Sequence, residues 1–167
     1  MGKLVLLGVL GITLHPVFAY YHFIHYTSRT SPYQPIPEKF DLSALPNKTV
    51  TFFVSDAGPA QFLPNDGFPS VLAQVRQAAQ VWNAVDTSDL RVAFGGLYVI
   101  GTPQSTPGGE VVFEELPPGV RGFGGPSARA DAAVTASNGP FVPITRAIIR
   151  LNRDLTRAPG PSYTEAF

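Results

Sequence analysis

Apolar and polar residues change period several times along this chain, and each change marks an element. Leu4 to Leu14 is an apolar run of about eleven residues, closed by His15 and Pro16. From Tyr20 to Asn47 no period holds: aromatic residues crowd around His22 and His25, and Pro32, Pro35 and Pro37 impose extended backbone. Thr49 to Ser55 (TVTFFVS) is rich in β-branched and aromatic residues, with Val50, Phe52 and Val54 on one face, and predicts a strand. A turn-rich stretch with Pro64-Asn65-Asp66-Gly67 follows. The period then becomes helical. From about Ser70 to Val85, Val71, Val75, Ala78, Ala79, Trp82 and Val85 fall on one stripe, with Gln74, Gln77, Gln80 and Asn83 opposite. Ser70 or Asp66 caps its start, and Trp82 reads as a core anchor covering the sheet.

Beyond the connector Asp86 to Asp89, Leu90 to Phe94 alternates inward, and a second apolar run spans Leu97 to Ile100 after Gly95-Gly96. Strand, helix and strand in that order predict a right-handed crossover onto a parallel sheet. Glu110 to Leu116 predicts a third strand, Asp131 to Thr135 a short one and Ala147 to Asn152 a clear one. Pro117 to Pro126 reads as an irregular glycine-rich loop. It is no nucleotide loop, because no Gly-Lys-Ser/Thr follows. Ser162-Tyr163-Thr164-Glu165 offers a cap into a second helix. The pattern gives an α/β (α+β) fold: a twisted, mostly parallel mixed sheet of about five strands, one amphipathic helix packed on it, and the start of a second.

Three segments follow. Residues 1–19 read as a signal peptide, with Lys3 before the apolar run and Val17-Phe18-Ala19 before the cut. An uncleaved anchor is the competing reading, but the run is short of the ~20 residues of a membrane span. Residues 20–47 are an extended aromatic and proline-rich strap whose rings pack on the domain surface, with Phe40-Asp41-Leu42 as docking point and Leu45-Pro46-Asn47 as final turn. Residues 48–167 are the domain proper. The reading places the protein outside the cytoplasm, secreted or periplasmic, in a bacterial setting, with no membrane contact after signal cleavage.

Composition limits the chemistry. Twelve basic and twelve acidic side chains cancel, which leaves no electrostatic footprint for nucleic acid. There is no cysteine and, after His25, no histidine. A Ser-His-Asp triad, a thiol nucleophile and an ordinary zinc site are thereby excluded from residues 48–167. His22 and His25 stand three apart as a conceivable metal pair, but no third ligand of these types joins them. Glu114 and Glu115 are adjacent on a strand and point to opposite faces, so they cannot serve one substrate as acid and base. Asp131 and Asp154 are calcium-ligand types, yet lone loop carboxylates read as turn or cap residues. No catalytic, cofactor-binding or metal-binding residue is assigned. Either the domain is not catalytic or its active site lies beyond Phe167.

The residues from Thr49 onward resemble the upper half of a metzincin zinc protease domain, of the bacterial matrixin-like kind. The resemblance is carried by Val75-Arg76-Gln77-Ala78-Ala79-Gln80-Val81-Trp82-Asn83 with Leu90-Arg91-Val92-Ala93-Phe94. Val111-Val112-Phe113 with Pro117-Pro118-Gly119, and Phe141-Val142-Pro143-Ile144, extend it. Ala147-Ile148-Ile149-Arg150-Leu151-Asn152 and Pro161-Ser162-Tyr163-Thr164-Glu165-Ala166-Phe167 complete it. It implies a zinc metalloendopeptidase, a hydrolase, whose second helix carries His-Glu-x-x-His. Two imidazoles one turn apart hold the zinc, and the glutamate is base toward the metal-bound water. None of those residues is present, so the resemblance implies an N-terminal fragment, inactive as it stands and cut before its zinc helix. For the longer protein it implies zinc, structural calcium as a further expectation, a peptide or protein substrate and a monomer. The family's antiparallel edge strand, which binds substrate backbone as an added strand, corresponds to Asp131 to Thr135. The alternative is a complete secreted binding module that recruits a partner strand at an exposed sheet edge.

Overall fold

A computed structural model describes residues 23–26, 28–102, 107–129, 133–136 and 139–157. The signal segment 1–19, His22, Asp131 and the helix start at Ser162 lie outside the described residues. The chain is mixed α/β, and its elements in order are β1 (Ile24–Tyr26), β2 (Pro35–Lys39), β3 (Thr49–Ser55), α1 (Phe68–Asn83) and β4 (Arg91–Tyr98). Then come β5 (Gly108–Glu114), β6 (Gly122–Ala128), β7 (Val134–Ala136) and β8 (Gly139–Asn152). Eight strands form one sheet, rather than about five.

The spine of the sheet is β8. Between Arg146 and Leu151 its residues pair in parallel with β5 on one side and antiparallel with β6 on the other. β5 pairs in parallel with β3, and β3 with β4, as the strand–helix–strand pattern requires. The first half of β8 takes β2 in parallel and β7 antiparallel, and β1 closes on β2. The strap joins the sheet by backbone pairing as well as by its rings: Phe23 and Phe40 face the helix-side apolar surface, while Tyr26 and Tyr33 stay in solvent.

β3 occupies the predicted Thr49–Ser55 because alternation and turn signals agree there. Its inward Phe52 and Val54 pack with Val111 and Phe113 of β5 and Val71 and Ala79 of α1. The helix begins at Phe68, earlier than the stripe implies, with Gly67 as its N-cap. Ser70 lies inside the first turn, and its hydroxyl accepts from the Gly67 N–H at 3.0 Å. At the other end Asn83 is not on a purely solvated face. Its amide donates to the Val92 carbonyl at 2.9 Å, and its oxygen accepts from the Val92 N–H at 2.7 Å. Those bonds fasten the helix end to the outermost strand and cover part of its open edge.

Two glycine-bearing stretches depart from expectation. The two predicted segments are joined in one shorter strand, Arg91–Tyr98, bulged at Gly95-Gly96, and Leu90, Val99 and Ile100 lie outside it. Glycine is required at 95 because a Cβ there would lie 2.5 Å from the Phe53 ring. The supposed glycine loop contains β6, the antiparallel edge strand beside β8, on the side away from β5. A Cβ at Gly122 would meet the Arg150 carbonyl oxygen at 2.7 Å, and one at Gly124 the Ile148 oxygen at 2.8 Å. Here glycine allows two backbones to approach closely; it does not break the strand. The antiparallel edge along the second half of β8 is therefore Gly122–Ala128, while the weak candidate near residue 134 is the separate β7.

Candidate functional site

Only part of the sheet's helix-side face is covered by α1. Over β4 and β3 the helix lays Val71, Leu72, Val75 and Ala79, with Val71 fully buried. Over β5, β8 and β6 the same face opens into an apolar cavity of about 800 Å3. Its floor includes Phe52, Val111, Ala147, Ile149 and Leu151, and its helix wall is Val75, Ala78, Ala79 and Trp82. Phe23 and Phe40 of the strap close one side. The predicted stripe of α1 thus divides. Val71, Val75 and Ala79 do core work, whereas Trp82, expected as a buried anchor, is 47% exposed at the cavity wall. Ile149, at 48% exposure, is another large apolar side chain standing open there.

The opposite face carries charge. Strand alternation sends Glu110 of β5 and Arg146 of β8 to that side, where the guanidinium grips the carboxylate with two hydrogen bonds, 3.0 Å and 2.9 Å. The Tyr98 hydroxyl, from β4, reaches across β3 and donates to the same carboxylate at 2.8 Å. The Arg146 bond, with help from Tyr98, holds the Glu110 carboxyl below the ordinary carboxylate range, against the opposing effect of burial. Burial first, and the Glu110 carboxylate second, push the Tyr98 hydroxyl above the ordinary tyrosine value. Glu110 in turn raises the Arg146 guanidinium. One residue pair further along, Arg150 bonds Glu114 at 3.1 Å and lies over the Phe123 ring at 5.7 Å. Every charge in this group has an internal partner, so the network ties strands together and offers a substrate no free acid or base. The sequence singled out Glu114 and Glu115 but not Glu110. The missed signal is the shared face of Glu110 and Glu114 on one strand and of Arg146 and Arg150 on another.

The remaining candidates are structural. His25 lies 3.7 Å from Glu38, its neighbour in the β1–β2 hairpin. Asp154 is a turn residue, accepting from the Thr156 N–H at 3.0 Å and from its hydroxyl. The turn it makes is anchored by Asn152, 1% exposed, whose amide donates to the Val120 carbonyl at 3.0 Å while its oxygen accepts from the Asp154 N–H. Leu155 then tucks into the core at the start of α1. Among the described residues no three His, Asp or Glu side chains gather as a metal site, so these residues by themselves do not fit a zinc ion. No helix among them is long and apolar enough to cross a membrane. No family model, curated protein or solved structure matches the chain.

Proposed function

We propose that the described residues are the sheet-and-first-helix part of an exported, zinc-dependent metallopeptidase domain of the bacterial matrixin-like kind. On this reading the zinc-binding residues lie beyond Phe167 in the longer polypeptide, and the described part cleaves nothing by itself. The single observation that carries the reading is the half-covered sheet face. Its apolar cavity of about 800 Å3 lies beside α1, over β5, β8 and β6. A helix with its side chains is about 10 Å across, the spacing at which a neighbour packs beside another helix. A second helix laid beside α1 would set its apolar stripe against Ile149, Leu151 and Trp82 of the cavity lining.

The mostly parallel sheet with one antiparallel edge strand beside that cavity supports the same reading. The outer edge of β6 is the element to receive an extended peptide substrate by strand addition. Catalysis itself belongs to residues not among those described. When bound, zinc supplies an activated water; this part of the chain supplies the wall against which its helix packs and the strand that aligns the substrate.

Reading the coding frame beyond Phe167 tests the proposal. His-Glu-x-x-His is expected within about ten residues. A stop codon there in an intact gene overturns it and favours the second reading, a secreted binding module. The specific observation behind that alternative is the set of edge strands: among the described residues β4 and β6, like β1 and β7, each have one neighbour in the sheet.

A further inference from the structure

An extended, proline-rich segment between an export signal and a domain is ordinarily a candidate for removal. A removable pro-segment leaves a complete sheet and a buried core behind when it departs. The segment from Phe23 to Leu45 does not have that relation to the rest of the fold. β2 supplies β8 with a parallel neighbour, Glu38 opposite Val142 and Lys39 opposite Pro143. The β8 residues at and around this contact are among the most buried in the molecule: Val142 is 0% exposed, Phe141 4% and Ile144 8%. Farther along the same strand, on the part of the helix-side face that α1 leaves open, Ile149 is 48% exposed. The Lys39 ammonium lies over the Phe141 ring at 4.8 Å, so the strap also touches that ring through a side chain.

The strap is also tied to itself and to the domain floor. The Glu38 N–H donates to the Phe23 carbonyl at 2.8 Å. Asp41 accepts from the Ser43 N–H at 3.0 Å and so fixes the turn that delivers Leu45, 7% exposed, into the domain. Phe23 and Phe40 then form one side of the apolar cavity. Taking the strap away would leave β8 without its parallel neighbour at Val142 and Pro143, remove the Lys39 contact over Phe141, and remove a wall of the cavity.

We infer that residues 23–45 are a permanent wall of the domain, retained when the protein matures, with the mature N-terminus at or before Phe23. The inference rests on strand pairing and burial, and it holds whether or not the domain carries zinc.

The test uses the exposed turn at Asn47 and Lys48, where both residues have positive φ. A site-specific protease sequence is inserted there, and the purified, folded protein is cut. The N-terminal piece is expected to co-elute with the remainder in size exclusion. After the piece is stripped in denaturant, the refolded remainder is expected to melt more than about 10 °C lower, or without a cooperative transition. Release of the piece overturns the inference, as does a remainder that melts within about 2 °C of the uncut protein. Leu45→Ala, without any insertion, gives an independent answer: a fall of at least about 5 °C is expected, and an unchanged melt overturns the inference.

Discussion

Arg146 holds Glu110 by two hydrogen bonds on one face of the sheet, Nε to Oε1 at 3.0 Å and Nη2 to Oε2 at 2.9 Å. The pair bridges β8 and β5, and Tyr98 brings β4 to the same carboxylate. Removing the guanidinium strands a largely buried carboxylate, whose side chain is only 14% exposed. Arg146→Ala should therefore cost about 1–3 kcal/mol, read as a lower urea midpoint with unchanged slope. Glu110→Gln, which removes the charge but keeps hydrogen-bonding atoms, should cost less. Equal midpoints for Arg146→Ala and the parent would show that the pair contributes nothing.

The same cluster sets a pH window. The folded Glu110 carboxyl titrates below its ordinary value of 4.5. Its contribution is fully present above that value and is lost as pH falls through the folded one. Tyr98 acts at the other end. Its folded pKa lies above the ordinary 10.0, so beyond pH 10.0 the unfolded chain gives up a proton that the folded chain keeps. Stability falls as pH climbs from there. Tyr98→Phe should flatten that alkaline decline, at a cost of about 1 kcal/mol at neutral pH. Urea midpoints from pH 8 to 11 check it, and parallel curves for parent and variant would exclude Tyr98 as the source.

The β6 glycines differ sharply in what surrounds them. A methyl at Gly124 meets the Ile148 carbonyl oxygen at 2.8 Å, whereas one at Gly125 meets nothing within 4 Å. Gly124→Ala should loosen the edge strand and cost about 1–3 kcal/mol, while Gly125→Ala should stay within about 0.5 kcal/mol. Amide exchange along β6 and thermal melts report both. Equal effects would mean that β6 does not press against β8 as described.

The open sheet face should show itself to solvent probes. An environment-sensitive hydrophobic dye should bind the chain at the cavity, and Ile149→Glu should abolish most of its fluorescence. Because Ile149 is 48% exposed, that substitution should change stability by no more than about 0.5 kcal/mol. The single tryptophan, Trp82, should emit like a hydrated indole and shift to shorter wavelength in a polypeptide that brings its own second helix. Dye binding that survives Ile149→Glu would place the apolar surface elsewhere.

The elements legible in the sequence were those whose signals are local. Thr49–Ser55 combines alternation, β-branching and flanking turns, and α1 carries a clean stripe. The rest failed for physical reasons. Gly95-Gly96 reads as a break but serves to admit the Phe53 ring. In β6, Gly122 and Gly124 remove the side chains that alternation needs, because backbone must approach backbone there. Only the second half of β8 is recognisable, since Pro140 and Pro143 in its first half suppress the strand signal. β2, with prolines at 35 and 37, becomes a strand through a neighbour about a hundred residues away. The cavity was not legible either. It exists because a single helix covers part of a sheet that β6 and β8 make wider, and no local pattern encodes that.

On the proposed function, the uncovered face receives a zinc-bearing helix from the same polypeptide. The most direct measurement is the zinc content and peptide cleavage of the protein expressed through to its natural stop codon, with and without a chelator. One catalytic zinc per chain is expected, with cleavage of an unstructured protein substrate that is lost on chelation and recovered on adding zinc. A full-length protein that binds no zinc and leaves substrate intact, yet folds with its sheet face covered, would contradict it.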